Sequence, residues 1–336
     1  MNFLRNILII VVPFYWMISS IRNLLYDLGW MHSKSYDHPI ICVGNLSVGG
    51  TGKTPMIEYL IRLLQKTSKV ATLSRGYKRQ SSGFVLADKN TTAGVIGDEA
   101  YQIHSKFEDV IIAVDGNRRR GIQNLLGLKT KPDVILLDDA FQHRKVKAGL
   151  NILLTTYDRL YANDIVLPTG DLREPRIGAK RADIIIVTKC PEGISKVDKK
   201  RVQDRLKLKA KQRLFFSSIE YSKELIAQDG SKVSLEDIRD QNIHLVTGIA
   251  KPKPMIDHLK QKGLKFEHLR FPDHHQFTQR EINSLDSKEC LLTTEKDFTR
   301  LKDQIKSASL YYLPIETRIS NSEEFNSLIQ EFMKTR

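Results

Sequence analysis

An α/β fold, built on a parallel sheet with a second and smaller α/β unit beside it, is what this sequence predicts. Three observations carry that expectation. Apolar runs of strand length alternate with helix-patterned stretches. Several of those runs are continuous and β-branched, as strands buried on both faces are. One of them ends in a glycine-rich turn that opens a helix.

Composition bounds the rest. The chain has 336 residues, which at ~150 residues per domain points to two units. Hydrophobic residues at 41% and charged residues at 27% exclude long disorder, a collagen and a polytopic membrane protein. Cys42, Cys190 and Cys290 lie far apart, without zinc-ligand spacing or a disulfide framework, which fits a reducing compartment. The net charge of +14 calls for an anionic partner. No zinc-finger spacing and no aromatic RNA-reading motif is present, so nucleic acid is not expected. A membrane surface or a phosphate-bearing substrate accounts for the charge, and nothing calls for an obligate protein partner.

The elements follow in order. Residues 7–18 (ILIIVVPFYWMI) are apolar for 12 residues, short of the roughly 17–25 a span requires. Pro13 would kink a helix there. Arg5 and Arg22 flank the run, and Tyr15 and Trp16 suit a lipid boundary. This reads as a membrane-docking helix over residues 1–28, dipping into one leaflet. A secretory signal and an ordinary core helix are the alternatives. Strands are expected at 39–44, 70–74, 110–114, 133–138, 151–155 and 183–188, with helices at 53–66, 98–106, 117–127 and 197–210. These form a core over 29–211. A smaller unit over 212–336 takes strands at 213–220, 243–247, 264–269, 290–294 and 310–315 and helices at 252–262 and 322–334.

Residues 44–54 (GNLSVGGTGKT) follow a strand and open a helix, the context a phosphate loop requires. Glycine lets backbone N–H groups turn inward around phosphates, and the helix N-terminus adds partial positive charge. Ser47, Val48, Gly49, Gly50, Thr51, Gly52, Lys53 and Thr54 are the expected nucleotide cradle, with Lys53 on the β- and γ-phosphates and the Thr54 hydroxyl on Mg²⁺. Ser47 stands where the strict pattern has glycine, and Gly49-Gly50 supply the flexibility instead. Asp138 and Asp139 end an apolar strand, and such acids reach Mg²⁺ directly or through water. A turn or helix cap is the plainer reading of Asp139.

The segments VGNLSVGGTGKTP (43–55), SRGYKR (74–79), GDEA (97–100), DDAFQHR (138–144), LPTGDLREP (167–175), FPDHH (271–275) and TEKD (294–297) together resemble the tetraacyldisaccharide 4′-kinase family of lipid A biosynthesis. The resemblance implies a P-loop NTPase-like core. It implies transfer of the ATP γ-phosphoryl group to the 4′-hydroxyl of a tetraacylated glucosamine disaccharide 1-phosphate, with Mg²⁺. It also implies peripheral or monotopic docking on the cytoplasmic face of the bacterial inner membrane, and a smaller domain able to close over the site.

Phosphoryl transfer needs alignment, charge neutralisation and a group that takes the hydroxyl proton. The resemblance gives the last role to Asp98, with His274 as its partner and His275 as the rival. On spacing alone Asp98 reads as a helix cap and His274 as one of two loop histidines. Arg173 is the candidate for the transferring oxygens, its planar fork suiting that task; an ion pair with Glu174 is the plainer reading. Glu99 is a further candidate for Mg²⁺. Asn45, Arg75, Arg119, Gln142 and His143 are candidate substrate-lining residues, and Arg118, Arg119 and Arg120 cannot all face one site. Thr188-Lys189 and Thr294–Asp297 read as turns ending strands. Two other readings compete. One is a dimeric P-loop switch, which lacks its signature lysine at Val48; the other is a nucleotide-gated membrane-binding module, which leaves Asp98, Asp139 and His274 without a task.

Overall fold

The computed structural model describes residues 8–273 and 275–335. Its centre is a nine-stranded sheet. In chain order the strands are β1 (Ile40–Asn45), β2 (Val70–Ser74), β3 (Val85–Leu86), β4 (Ile111–Val114), β5 (Val134–Asp138), β6 (Leu150–Thr156), β7 (Ile184–Thr188), β8 (Arg213–Tyr221) and, far later, β15 (Ile315–Ile319). They lie in the order β15-β8-β7-β6-β1-β5-β2-β4-β3. Every pair from β8 to β4 is parallel, and only the edge strands β15 and β3 run antiparallel.

Both faces of this sheet are covered, which is why its strands read as unbroken apolar runs. Along β1, Ile40 and Cys42 pack into one layer, and Ile41 and Val43 into the other. The first layer includes Ile122 of the helix Arg118–Leu126 and Val202 of Lys196–Leu206. The second includes Met56, Ile57 and Leu60 of the helix Lys53–Leu64, Ile103 of Asp98–Lys106 and Phe325 of Ser322–Lys334. Numbering the helices in chain order gives α1 (Val12–Asp27), α2 (Lys53–Leu64), α3 (Ala93–Ile96), α4 (Asp98–Lys106), α5 (Arg118–Leu126), α6 (Lys196–Leu206), α7 (Lys253–Gln261), α8 (Gln279–Asp286), α9 (Glu295–Leu301) and α10 (Ser322–Lys334).

The second sheet has six strands, β9 (Glu224–Ala227), β10 (Lys232–Ser234), β11 (Ile243–Thr247), β12 (Glu267–Arg270), β13 (Cys290–Thr294) and β14 (Ser309–Leu313), in the order β10-β9-β14-β13-β11-β12. Leu245 and Leu292 pack with Met255 and Leu259 of α7 on one face. Val246 and Leu291 pack with Ile282 of α8 and Phe298 of α9 on the other.

The strand at 213–220, expected to open the smaller unit at 212, belongs instead to the larger sheet, paired with β7. The chain leaves that sheet after Tyr221 and returns at Ile315, which pairs with Tyr221. The returning β15 and α10 then complete the larger sheet and its cover. The single strand expected at 310–315 is two, because Pro314 lacks the N–H that would continue the ladder. Its carbonyl accepts from Ser222 N at 2.9 Å, so the two crossings run side by side.

The N-terminal segment also differs from expectation. Pro13 sits in the first turn of α1, after a short 3₁₀ turn at Leu8–Val11, where its missing N–H costs nothing. Leu8–Asp27 is one 20-residue helical stretch, long and apolar enough by length and composition to cross a membrane. The helix outruns the 12-residue apolar run because Ser19, Ser20 and Asn23 continue it. Ser19 Oγ donates back to Tyr15 O at 2.7 Å.

Candidate active site

Strand register builds the site. Val43 of β1 lies level with Asp138 of β5, so the turn after β1 and the acids ending β5 emerge side by side. This is the crevice of an open α/β sheet, where β1 has neighbours reached by opposite crossings. Ser47 bridges to Leu172, and Val48 N donates to Asp171 O at 2.7 Å, tying the loop to the 167–175 segment. Gly49 (φ +102°) and Gly52 (φ +87°) hold left-handed conformations a side chain resists. Gly50 O accepts from Lys189 Nζ at 2.7 Å, and Thr51 O accepts from Thr188 Oγ1 at 2.8 Å. Lys53 and Thr54 stand in the first turn of α2, both partly exposed.

Around that loop lies a charged fork. Lys53 Nζ is 3.6 Å from Asp139 Oδ2. Arg173 grips Asp139 with two nitrogens, Nη2 to Oδ1 at 2.7 Å and Nη1 to Oδ2 at 3.1 Å. Asp139 adopts φ +47°, which turns it out of the strand toward these cations. Burial works against its ionisation, but Lys53 and Arg173 outweigh it and hold the carboxyl below its ordinary range. Arg173 therefore does not pair with Glu174. Glu174 points the other way, buried, to Arg181 (2.7 Å), Gln142 (2.9 Å) and Asn23 of α1 (2.8 Å).

Asp138 differs from its neighbour. It is 7% exposed, and burial pushes its carboxyl up to about 6; Lys53 opposes that rise, while Asp139 and Glu99 add to it. Its Oδ1 has no hydrogen-bond partner among the described residues, and the same holds for Thr51 Oγ1, Arg173 Nε and Gln142 Oε1. Buried polar atoms left without partners are uncommon in native proteins. Four of them around one glycine turn mark the place of a polar ligand. A divalent cation fits the donor set: a buried acid ending the neighbouring strand and a hydroxyl in the first helical turn, here Asp138 and Thr54, are the groups with which such loops hold magnesium, phosphate and water supplying the rest. Among the described residues no three His, Cys, Asp or Glu side chains converge into a self-sufficient metal cage, so Asp138, Asp139 and Glu99 do not form one.

The remaining expected residues separate. Asn45 is wholly buried and accepts from Arg173 and from Gln142, so it positions those side chains rather than lining a substrate surface. Burial, with Arg118 and Arg75 nearby, pushes His143 down to about 4, which leaves its ring neutral at pH 7. Arg118 is buried and donates to the carbonyls of Asp115 and Asp138; Arg120 pairs with Asp115 at 2.7 Å; Arg119 is half-buried near Tyr36. Asp98 opens α4, with Gly97 rather than Asp98 as the cap, and is paired to Arg300 of α9. His274 lies outside the described residues, while His275 Nε2 sits 3.0 Å from Glu281 Oε2.

Two groups of residues escape a reading of the sequence. Tyr15 Oη donates to Arg173 O at 2.9 Å, and Arg22 Nη2 to Gln142 O at 2.7 Å, so α1 is bonded directly to the phosphate-site segments. Arg300, on the helix α9 that packs against the second sheet, reaches Asp98 of α4. Thr294, three residues before Asp297, is a helix-start signal that points to α9, where a turn is expected.

Parallel sheet, glycine turn and acid-ended neighbouring strand define the class: a P-loop nucleotide-binding protein. The chain belongs to the tetraacyldisaccharide-1-P 4′-kinase family, whose model matches residues 4–334. It is 52% identical over 338 residues to a tetraacyldisaccharide 4′-kinase of Flavobacterium johnsoniae, covering 99% of this chain and 98% of that protein. It is 44% identical to one of Bacteroides thetaiotaomicron, covering 95% and 91%. The solved structure of LpxK from Aquifex aeolicus in complex with ATP superposes with a TM-score of 0.81 at 30% identity, over 98% of this chain and 99% of that one.

Proposed function

We propose that this chain is an ATP-dependent kinase that transfers the γ-phosphoryl group to the 4′-hydroxyl of a tetraacyldisaccharide 1-phosphate, giving lipid IVA. The observation that carries the lipid part of this reading is the seat of α1. One side is bonded to Arg173, Gln142 and Glu174 around the phosphate loop. The other presents Phe14, Trp16, Met17, Ile18 and Ile21, all exposed. A helix lying in a membrane interface with that face would bring the loop to the height of a lipid headgroup. The protein then works as a peripheral or monotopic protein on the cytoplasmic face of the inner membrane.

Lys53 and the loop amides hold the β- and γ-phosphates, and Arg173, released from Asp139 as nucleotide enters, neutralises the transferring oxygens. Thr54 and Asp138 would hold Mg²⁺, which supplies charge neutralisation on the phosphate oxygens when bound. Asp98 takes the proton of the sugar hydroxyl, with His274 as its partner. Arg75, Arg119 and His143 are the candidates to receive the acceptor's own phosphate. The test is γ-labelled ATP with the acylated disaccharide in mixed micelles. Label on the lipid is the expected result. Inorganic phosphate alone would overturn the kinase and favour a membrane-associated ATPase.

A further inference from the structure

The helices α4 and α9 belong to different sheets and lie antiparallel, joined at both ends by ion pairs. At one end Lys106 Nζ meets Glu295 Oε1 at 2.9 Å. At the other, Arg300 Nε donates to Asp98 Oδ2 at 3.1 Å, and Arg300 Nη2 donates to the same oxygen. Between them Lys302 Nζ stands 5.0 Å from the centre of the Tyr101 ring. The Arg300 side chain is only 7% exposed. Burying a guanidinium is costly unless its donors are used, and these are. Nη1 reaches His275 O at 3.4 Å and stands 3.5 Å from Asp297 Oδ1. Asp297 is itself fully buried, and its Oδ2 accepts from Gly248 N and Thr294 Oγ1, both at 2.8 Å. A continuous polar chain thus runs from the end of β11 through Asp297 and Arg300 to Asp98.

We propose that Arg300 is a positioning residue for the phosphoryl transfer: from the six-stranded sheet it fixes the direction of the Asp98 carboxylate. Two nitrogens of one planar guanidinium converging on Asp98 Oδ2 fix the place of that oxygen more firmly than a single point charge does. A displacement of about 1 Å in a reacting group costs on the order of 10²-fold in rate. The unit built on the second sheet therefore orients the proton acceptor. This inference rests on the assignment of Asp98 as that acceptor.

The test measures transfer to the acylated disaccharide and ATP affinity for the full chain, Arg300→Met, Arg300→Lys, Asp98→Asn and the double variant Asp98→Asn/Arg300→Met. Arg300→Met is expected to lower kcat by about 10- to 100-fold while KM for ATP stays within about twofold of the parent. Arg300→Lys recovers part of the rate, which also shows that the fold tolerates change at this position. In the Asp98→Asn background Arg300→Met costs nothing further, because its effect passes through the carboxylate. A wild-type kcat in Arg300→Met, with Asp98→Asn strongly impaired, overturns this inference alone. So do losses that multiply in the double variant. A wild-type rate in Asp98→Asn overturns the proton-acceptor assignment and this inference with it.

Discussion

Two clusters of charge share α2, one at its first residue, Lys53, and one at its middle, Glu58, and they are built to opposite specifications. At the phosphate loop, Lys53, Asp139 and Arg173 are 20%, 35% and 24% exposed, and buried polar atoms around them lack partners among the described residues. At the inter-sheet seat, Glu58 of α2 is 2% exposed and Glu295 of α9 10%. There Glu58 takes Lys106 at 2.6 Å, Gln102 at 3.0 Å and Arg62 at 3.2 Å, while Lys106 also donates to Glu295. The same residue types serve both. The difference is completion: the first cluster is finished by a ligand, the second by the chain itself. A charge cluster with vacant valences marks a site, and one with none marks a joint.

Removing the cation at the centre of the joint sharpens this contrast most. Lys106→Met leaves two carboxylates facing each other in a buried seat, and breaking a buried pair in that way costs about 3 kcal/mol or more. The expected result is a large drop in thermal midpoint at pH 8, smaller at pH 5.5, where a proton can replace the lost lysine. Equal midpoints of variant and parent at pH 8 would show that the joint holds nothing. The matching change at the open cluster is Lys53→Ala. It removes a preorganised donor from the phosphates and lowers transfer by on the order of 10²–10³-fold. Its thermal midpoint without nucleotide falls less than that of Lys106→Met, because Asp139 keeps Arg173 as a partner at 2.7 Å. Labelled transfer assays and melting curves on the same preparation check both halves.

That contrast also explains what was legible in the sequence. The phosphate loop is a local device: strand, turn and helix are contiguous, and Gly52-Lys53-Thr54 identify it without tertiary information. Asp138 and Asp139 are legible for the same reason, since an apolar strand ending in acid is a pattern within five residues. The joint is not local. Glu58, Lys106 and Glu295 come from three helices, and nothing in their own neighbourhoods distinguishes them from solvated charge. Arg300 and Asp98 meet across 202 positions. The placement of 213–221 in the larger sheet depends on a return at 315–319 that no periodicity announces. The helix at 295–301 is a different kind of miss. Seven residues give two turns, too few for an apolar period, yet Thr294 with Asp297 three residues on is a readable start. The capping box of Thr278 and Glu281 ahead of α8 is equally readable.

The finest comparison is between two acids raised in opposite settings, Asp138 at the site and Glu295 at the joint. Burial raises the Glu295 carboxyl above its ordinary 4.5, with Glu58 adding to the rise and Lys106 opposing it. An acid raised on folding favours the folded state fully at pH below its unfolded value, and that contribution is lost as pH climbs through the folded one. The loss therefore begins above about 4.5 and runs toward neutrality. Glu295→Gln mimics the protonated form at every pH. It should match the parent near pH 5 and gain on it steadily toward pH 8, so that the thermal midpoint of the variant is the flatter of the two against pH. The gain is small, because Lys106 still has Glu58 as a partner at 2.6 Å. A parallel pair of curves would mean that Glu295 titrates alike in folded and unfolded chains, and that the lysine alone balances both acids. Asp138→Asn offers the contrast at the open cluster. The Asp138 carboxyl is raised too, so this variant also flattens the pH dependence between 3.8 and about 6; what sets it apart is a loss of nucleotide-dependent stabilisation, because what completes that acid arrives with the ligand.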